Sequence, residues 1–177
     1  MKKYIINIAL TIGLIMTFSA CSINPKIYSN KTPVFKINEY FNGEVSAFGV
    51  LQDWKGRVTR TFTVKMQGDW TGNEGTLKEW FVFDDGEKSE RTWKVKLIDE
   101  NNFTASATDS KGDAKGEQYG NTLRMQYTLN IPYKGKTMPI ALDDWMYLVD
   151  DKNLINISQM KKFGLPVGKI SIGFVKK

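Results

Sequence analysis

Residues 123–146 read LRMQYTLNIPYKGKTMPIALDDWM and predict a β hairpin, because apolar and polar residues alternate on both sides of one turn signal. Lys134-Gly135 is typical of a two-residue turn, which sets Tyr133 opposite Lys136. In that register each apolar residue of the first strand faces an apolar residue of the second. The predicted opposite pairs are Leu123 with Met146, Tyr127 with Leu142, Leu129 with Ile140, and Ile131 with Met138.

Further turn signals at close spacing predict more hairpins before this one. They are Lys55-Gly56, Asp84-Asp85-Gly86 and Glu100-Asn101-Asn102. Their lengths predict the pairs Gly49 with Phe62, Val45 with Met66, Glu79 with Arg91, Leu77 with Trp93, Leu97 with Ala105, and Trp93 with Asp109. The last two strands are predicted to place one apolar face inward, made of Ile155, Ile157, Ile170, Ile172 and Phe174.

About nine or ten antiparallel strands in meander order indicate an all-β fold. Closure removes exposed strand edges, so we expect a lipocalin-like up-and-down barrel of about 8–10 strands. A sandwich of two sheets is the alternative. One short helix is possible at Ile37 to Phe41, before the first strand. Barrels of about eight strands can hold one small apolar ligand.

The first 21 residues have the organisation of a secretory signal. Lys2 and Lys3 precede an apolar stretch, and Phe18-Ser19-Ala20-Cys21 places small residues before the chain's one cysteine. This ending resembles the bacterial lipobox, in which the cysteine is lipidated and the chain is cut before it. An ordinary secretory signal with an incidental cysteine, or an uncleaved membrane helix, are the alternatives.

The lipobox interpretation predicts a signal peptide at 1–20, a lipidated tether at 21–33 and one β-barrel domain at 34–177. Several acyl chains on Cys21 are expected to hold the protein on a membrane. Ser22 follows the cysteine in place of aspartate, which by resemblance to enterobacterial sorting favours the outer membrane. The expected location is therefore the periplasmic face of the outer membrane of a Gram-negative bacterium.

The composition excludes several kinds of chemistry. The chain has no histidine and one cysteine, which leaves no Ser-His or Cys-His nucleophile pair and no zinc or haem site of the usual kind. We therefore expect no enzyme activity, no cofactor and no metal, although a lyase or isomerase using Asp or Tyr stays open. The net charge of +6 is spread among acids, so no nucleic-acid partner is predicted. The protein partner, if there is one, is not identified.

The predicted registers place four ionisable residues on the inward face, among apolar side chains. Glu79 and Arg91 are opposite each other, Asp109 lies one pair further, and Asp144 is on the hairpin described first. Because unpaired buried charges are costly, these groups should neutralise one another. The favoured interpretation is a structural plug, with Arg91 held between two acids under Trp93. The other is that Arg91 receives a ligand carboxylate or phosphate.

These residues also resemble a known family. The motifs are Glu79-x-Phe81-x-x-Asp84-Asp85-Gly86, Arg91-x-Trp93, Ala107-x-Asp109-x-x-Gly112-x-Ala114-x-Gly116, Gly120-Asn121, Tyr127, Asp143-Asp144-Trp145-Met146 and Lys162-Phe163-Gly164. They are similar to the proteobacterial lipoprotein family of domain of unknown function 3833. The resemblance implies a lipocalin-like fold and an envelope protein near fatty-acid modification, and it implies no activity.

Two functions follow as hypotheses. The first is a binding module that holds a fatty acid or similar amphiphile inside the barrel. Its candidate ligand-binding residues are Arg91, Glu79, Trp93, Asp109, Tyr127, Asp144, Met146, Phe62 and Phe81. The second is a structural or interaction protein with a filled core, which contacts another envelope component through Trp145, Tyr147, Phe48 and Val50.

Overall fold

Ten antiparallel strands form a closed barrel in the described part of the computed structural model, residues 23–133 and 135–177. The strands are β1 Gly43–Asp53, β2 Val58–Thr71, β3 Glu74–Phe83, β4 Lys88–Leu97, β5 Asn102–Ala107, β6 Ala114–Tyr119, β7 Thr122–Tyr133, β8 Lys136–Leu148, β9 Asn153–Lys162 and β10 Leu165–Lys176. Each strand pairs with the next, and β1 pairs with β10 to close the ring. The predicted all-β meander and its closure are confirmed.

The hairpin β7–β8 has the predicted register. Tyr133 pairs with Lys136, and Leu129 pairs with Ile140. The β1–β2 and β3–β4 hairpins also pair as expected, so Gly49 faces Phe62. Turn length was sufficient for β3–β4 and β7–β8 because a two- or three-residue loop allows one register that keeps the apolar face inward. In β1–β2 the register shifts at a β-bulge between Leu51 and Gln52, and the predicted pairs lie beyond this bulge.

The predicted β4–β5 register is wrong by two residues. Leu97 pairs with Phe103 and not with Ala105, and Trp93 pairs with Ala107 and not with Asp109. The Asp99 carboxylate accepts hydrogen bonds from the backbone N–H groups two and three residues later, which makes the loop begin one residue earlier than expected. Each residue keeps its face, but Asp109 now lies beyond the end of β5, level with β4 residue 91.

The predicted inward face of β9 is also wrong. Leu154, Asn156 and Ser158 are buried, while Ile155 and Ile157 point outward and are exposed. The β-branched isoleucines suit a strand on either face, so their type did not identify the inner side. Two polar residues lie inside because β9 pairs with the part of β8 that contains the buried Asp144.

A short helix closes one end of the barrel. Helix α1, Ile37–Tyr40, lies at the expected place before β1. Its neighbours Phe35 and Phe41 are buried with it in the main apolar core. The Phe41 carbonyl packs directly on the backbone of Gly68 in β2. This end is therefore solid, and the opposite end has no such plug among the described residues.

The segment expected to be a free tether is partly folded. Pro25–Tyr28 form a 3₁₀ helix, and Pro25 is buried. The ring of Tyr28 packs edge-on against Trp145 and Tyr147 on the outer wall, with centroids 6.4 and 5.8 Å away. Apolar and aromatic contacts, which composition alone did not indicate, hold this segment. The predicted signal peptide and Cys21 lie outside the described residues, and neither described helix has the length and apolar character of a membrane span.

Candidate functional site

The inner wall at the open end is apolar and, apart from the buried Phe62, only half-buried. Successive inward residues of β2, β3 and β7–β10 line it, and we call this region the cup. Its lining residues are Phe62, Phe81, Phe83, Ile131, Met138, Met160 and Ile170. The rings of Phe81 and Phe83 stack with centroids 6.1 Å apart, and Phe62 packs on both. The cup therefore offers an apolar surface that the protein itself does not cover.

An ion cluster forms the polar floor of the cup. The guanidinium of Arg91 donates from Nε and Nη2 to the Asp109 carboxylate, at 2.8 to 3.1 Å. Its Nη1 atom lies 3.7 Å from Glu79 Oε2, too far for a hydrogen bond. The side chain of Arg91 is 21% exposed and that of Asp109 is 37% exposed. The cluster is therefore accessible to solvent on the Asp109 side.

The electrostatics of this floor favour protonation of its deepest acid. Burial is the main reason that the pKa of Glu79 rises to about 7, with the charge of Arg91 offsetting part of the rise. Burial lowers the pKa of Arg91, but the hydrogen bonds of Asp109 and the charge of Glu79 outweigh it and raise that pKa overall. Arg91 stays charged, so Asp109 is its principal counter-ion.

A second polar pair lies across the barrel. The Tyr127 hydroxyl donates to Asp144 Oδ2 at 2.6 Å. Burial raises the pKa of Asp144, and the nearby Ser158 and Tyr127 hydroxyls offset part of that rise. Burial also raises the pKa of Tyr127, which keeps its hydroxyl a donor. Asp144 Oδ1 and Ser158 Oγ are buried and have no hydrogen bond to any residue that the structure describes.

The space below the floor is nearly filled. One cavity of about 50 Å³ lies between the ion cluster and α1, bordered by Glu79, Trp93 and Met146. A water molecule in the liquid takes roughly 30 Å³, so this cavity is too small for an acyl chain. The closed half of the barrel therefore offers little space for an acyl chain.

The structure brings the predicted site residues together on the inner wall. Eight lie on strands, and Asp109 follows the end of β5. One predicted contact is wrong: the ring over the Arg91 guanidinium is Phe81, at 5.5 Å, whereas Trp93 packs edge-on against Tyr127 at 5.1 Å. Trp93 faces the closed half because its strand neighbour Leu77 belongs to the main core.

Sequence reasoning missed three inner-wall residues. Arg60 lies 3.8 Å above the ring of Phe83 and forms ion pairs with Asp85 and Glu87 at the rim. Arg60 and Phe62 are two residues apart on β2, so their side chains lie on the same face of the strand. This spacing could have identified Arg60 as an inner-wall residue. Asn156 and Ser158 were missed because the isoleucines beside them were assigned to the inner face.

The arrangement combines an apolar wall with a charged floor. In the described part of the chain no three acidic, histidine or cysteine side chains are grouped to hold a metal ion. The floor contains one arginine and two acids, and the charge of the floor depends on whether the acids are protonated. Such a floor can accept or donate hydrogen bonds to the polar end of a ligand whose apolar part lies in the cup.

The outer wall has its own apolar groove. It measures about 730 Å³ and runs across β9, β10, β1, β2 and β3, bordered by Phe48, Val50, Val82 and Ile155. Phe48 is 61% exposed. The expected exposure of Trp145 and Tyr147 is wrong, because Tyr28 covers them and they are half-buried.

Comparison with known proteins supports the fold. The family model described as protein of unknown function (DUF3833) matches residues 15–176. The S-type phycobiliprotein lyase CpeS from Guillardia theta is similar, with TM-score 0.59, 10% identity, and coverage of 88% of this chain and 98% of that one. Rv2717c from M. tuberculosis has TM-score 0.57 and 10% identity, with 84% and 99% coverage.

A protein of the DUF3598 family from Nostoc punctiforme has TM-score 0.57 and 11% identity, covering 83% of this chain and 51% of that one. No curated protein matches the chain. At these identities the solved structures share the lipocalin-like barrel with this chain, and the likeness extends to the fold alone.

Proposed function

This chain belongs to the family described as protein of unknown function (DUF3833), and we propose that it is a non-catalytic binding module of the bacterial envelope. In this proposal the cup takes the apolar part of a fatty acid or similar amphiphile. The observation that supports it most is the half-buried apolar wall of the open end, next to a polar floor. Ligand sites are typically apolar pockets with few convergent polar groups.

The polar end of the ligand is proposed to meet Arg91. Asp109 occupies Nε and Nη2 of its guanidinium, while Nη1 has no hydrogen bond to a described residue. A ligand oxygen can accept a hydrogen bond from that atom. When Glu79 takes a proton, Arg91 is left with Asp109 as its one close counter-ion, and a ligand carboxylate is then less strongly repelled.

The envelope location rests on the sequence. We propose that Cys21 is lipidated and that the acyl chains hold the protein on the periplasmic face of the outer membrane. The apolar stretch, the small residues before Cys21 and Ser22 after it support this. A barrel anchored to a membrane lies next to the bilayer, which contains such amphiphiles.

The binding proposal is tested by titrating a fluorescent long-chain fatty acid into the purified protein. Ile131→Asp places a charge on the cup wall and should abolish saturable binding, because desolvating that charge against an acyl chain is unfavourable. The matched control is Asn130→Asp, one residue away on the opposite face of β7. Circular dichroism checks that both variants are folded. Equal binding by both variants, or none by wild type, would contradict the proposal.

A second function is supported by the outer apolar groove. A protein partner in the envelope could bury Phe48, Val82 and Ile155, which are exposed. Under this function the cup stays empty of lipid and Phe48→Ser removes a co-purifying partner. Under the first function Phe48→Ser leaves fatty-acid binding unchanged, because the side chain points away from the cup.

A further inference from the structure

We propose that the barrel lies on the anionic surface of its own membrane through one wall, formed by β6, β7, β8 and the docked segment Ile23 to Tyr28. This inference rests on the lipid anchor of the proposed function and adds an orientation to it. The occupant of the wall is the layer of anionic phospholipid headgroups. The surface of interest is a groove of about 400 Å³ that extends from the loop before β6 across this wall to Lys161 on β9, and we call it the lysine groove.

The chain geometry places the anchor beside this wall. The Ile23 carbonyl accepts a hydrogen bond from Arg124 on β7, and Tyr28 packs on β8. Cys21 is two residues before Ile23, so the chain between them spans at most about 7 Å. The acyl chains must therefore enter the bilayer next to the docked segment. A free tether would have allowed any orientation, and docking of residues 25–28 removes that freedom.

The groove charge fits an anionic surface. Lys111, Lys115 and Lys161 border the groove, and in the described residues none of them has an ion-pair partner. Two acids also border it. Asp143 is neutralised by Arg124, which donates to both of its carboxylate oxygens at 2.7 and 2.9 Å. Three lysines are thus opposed by one carboxylate without an ion pair, that of Asp113.

The groove and the anchor are contiguous. Asp143 borders the groove on one side and contacts Arg124, which also donates a hydrogen bond to the Ile23 carbonyl. Two apolar side chains of the docked segment also face outward, Ile23 at 53% and Ile27 at 66% exposure. Apolar side chains next to lysines are the composition of a surface that enters the headgroup region of a bilayer.

The test uses the processed, lipidated protein reconstituted in vesicles of phosphatidylethanolamine and phosphatidylglycerol. Single cysteines are introduced at Ile27→Cys and Lys115→Cys on the proposed wall, and at Thr63→Cys on exposed β2 as the control. A membrane-impermeant maleimide should label the two wall positions at least about fivefold more slowly than Thr63→Cys, since headgroup contact excludes the reagent. In detergent the three rates should converge. Equal rates on vesicles would overturn the proposal.

A second experiment tests the role of the lysine charges. Replacing the three groove lysines with glutamine should abolish the protection of Ile27→Cys, because each lysine shifts the balance of orientations about fivefold. The matched control replaces Lys65, Lys78 and Lys94, which are exposed on β2, β3 and β4. Protection should persist in phosphatidylglycerol at low salt and weaken at 1 M salt, where the Debye length is about 3 Å. Equal effects of the two triple variants would overturn the proposal.

The outcome separates this proposal from the proposed function. Cell fractionation of wild type and Cys21→Ser shows whether Cys21 anchors the protein at all, and a soluble wild type contradicts both. A membrane-bound wild type with equal labelling at every position contradicts the orientation alone. Fatty-acid binding in detergent is independent of both results, because the cup lies on the inner wall.

Discussion

Glu79 shows how one buried residue couples the stability of this barrel to pH. Burial raises its pKa from 4.5 to about 7, so the folded state holds a proton that the unfolded chain releases between these values. The free energy of unfolding therefore falls as pH rises through this window and levels off above pH 7. The shift corresponds to roughly 3 kcal/mol. Asp144 acts in the same direction, because burial also raises its pKa.

The first prediction concerns the pH dependence of the free energy of unfolding. Glu79→Gln should flatten the pH dependence of stability between pH 4.5 and 7, and the variant should exceed wild type in stability at pH 8. Urea unfolding followed by tryptophan fluorescence at several pH values measures it. Glu90→Gln is the matched control, since Glu90 is exposed on the outer side of β4. Parallel curves for Glu79→Gln and wild type would show that Glu79 ionises normally.

The second prediction concerns Arg91. Arg91→Met removes the counter-ion of Asp109 and Glu79, and it should cost about 3 kcal/mol at pH 8 because one buried carboxylate loses its partner. The loss should be smaller at pH 5, where Glu79 is protonated. Adding Glu79→Gln to Arg91→Met should recover part of the stability. Arg57→Met serves as control, since Arg57 pairs with Asp53 at an exposed turn. A loss that did not depend on pH would contradict this coupling.

At the scale of elements, helix α1 depends on a close backbone contact with β2. A side chain at Gly68 would collide with the Phe41 carbonyl. Gly68→Ala should therefore displace α1 and lower stability by about 2 kcal/mol or more, as overpacking does. Gly173→Ala meets the exposed ring of Phe48 at 3.0 Å, which can move aside. Thermal unfolding compares the two, and an equal cost would rule out the backbone contact as the cause.

The docked segment gives the fourth prediction. Tyr28→Ser removes two aromatic edge contacts, each worth about 1 kcal/mol, so local opening should become roughly thirtyfold more frequent. Trypsin should then cleave after Lys26 and Lys31 faster, with the barrel still folded. Phe163→Ser is the control, since Phe163 is exposed at the β9–β10 turn. Unchanged cleavage would mean that Tyr28 does not hold the segment.

Most strand pairings were predictable because turn length and apolar parity restrict the register together. The exceptions have local causes. Asp99 began a loop one residue early through its own hydrogen bonds, and the isoleucines of β9 concealed Asn156 and Ser158. The docking of residues 25–28 was not predictable, because it depends on Trp145 and Tyr147 presenting an outer aromatic surface. The alternation of inward and outward side chains along the strands was enough to predict that Glu79, Arg91, Asp109 and Asp144 share the inner face.

For the whole molecule, the barrel divides into parts with different roles. The half near α1 is solid, with one cavity of about 50 Å³ among the described residues. The other half presents the cup and its ion floor. The apolar outer groove is centred on β1, and the lysine groove is centred on β7 and β8, three to four strands away in the ring of ten.

Native mass spectrometry of the wild-type protein, released gently from the membranes of the producing cells, tests the binding module most directly. We expect one lipid-sized mass per barrel beyond the covalent acyl groups, and we expect Ile131→Asp to lack it while Asn130→Asp keeps it. A barrel that is bare in every preparation, with wild type and Ile131→Asp giving the same mass apart from the substitution, would contradict a ligand in the cup.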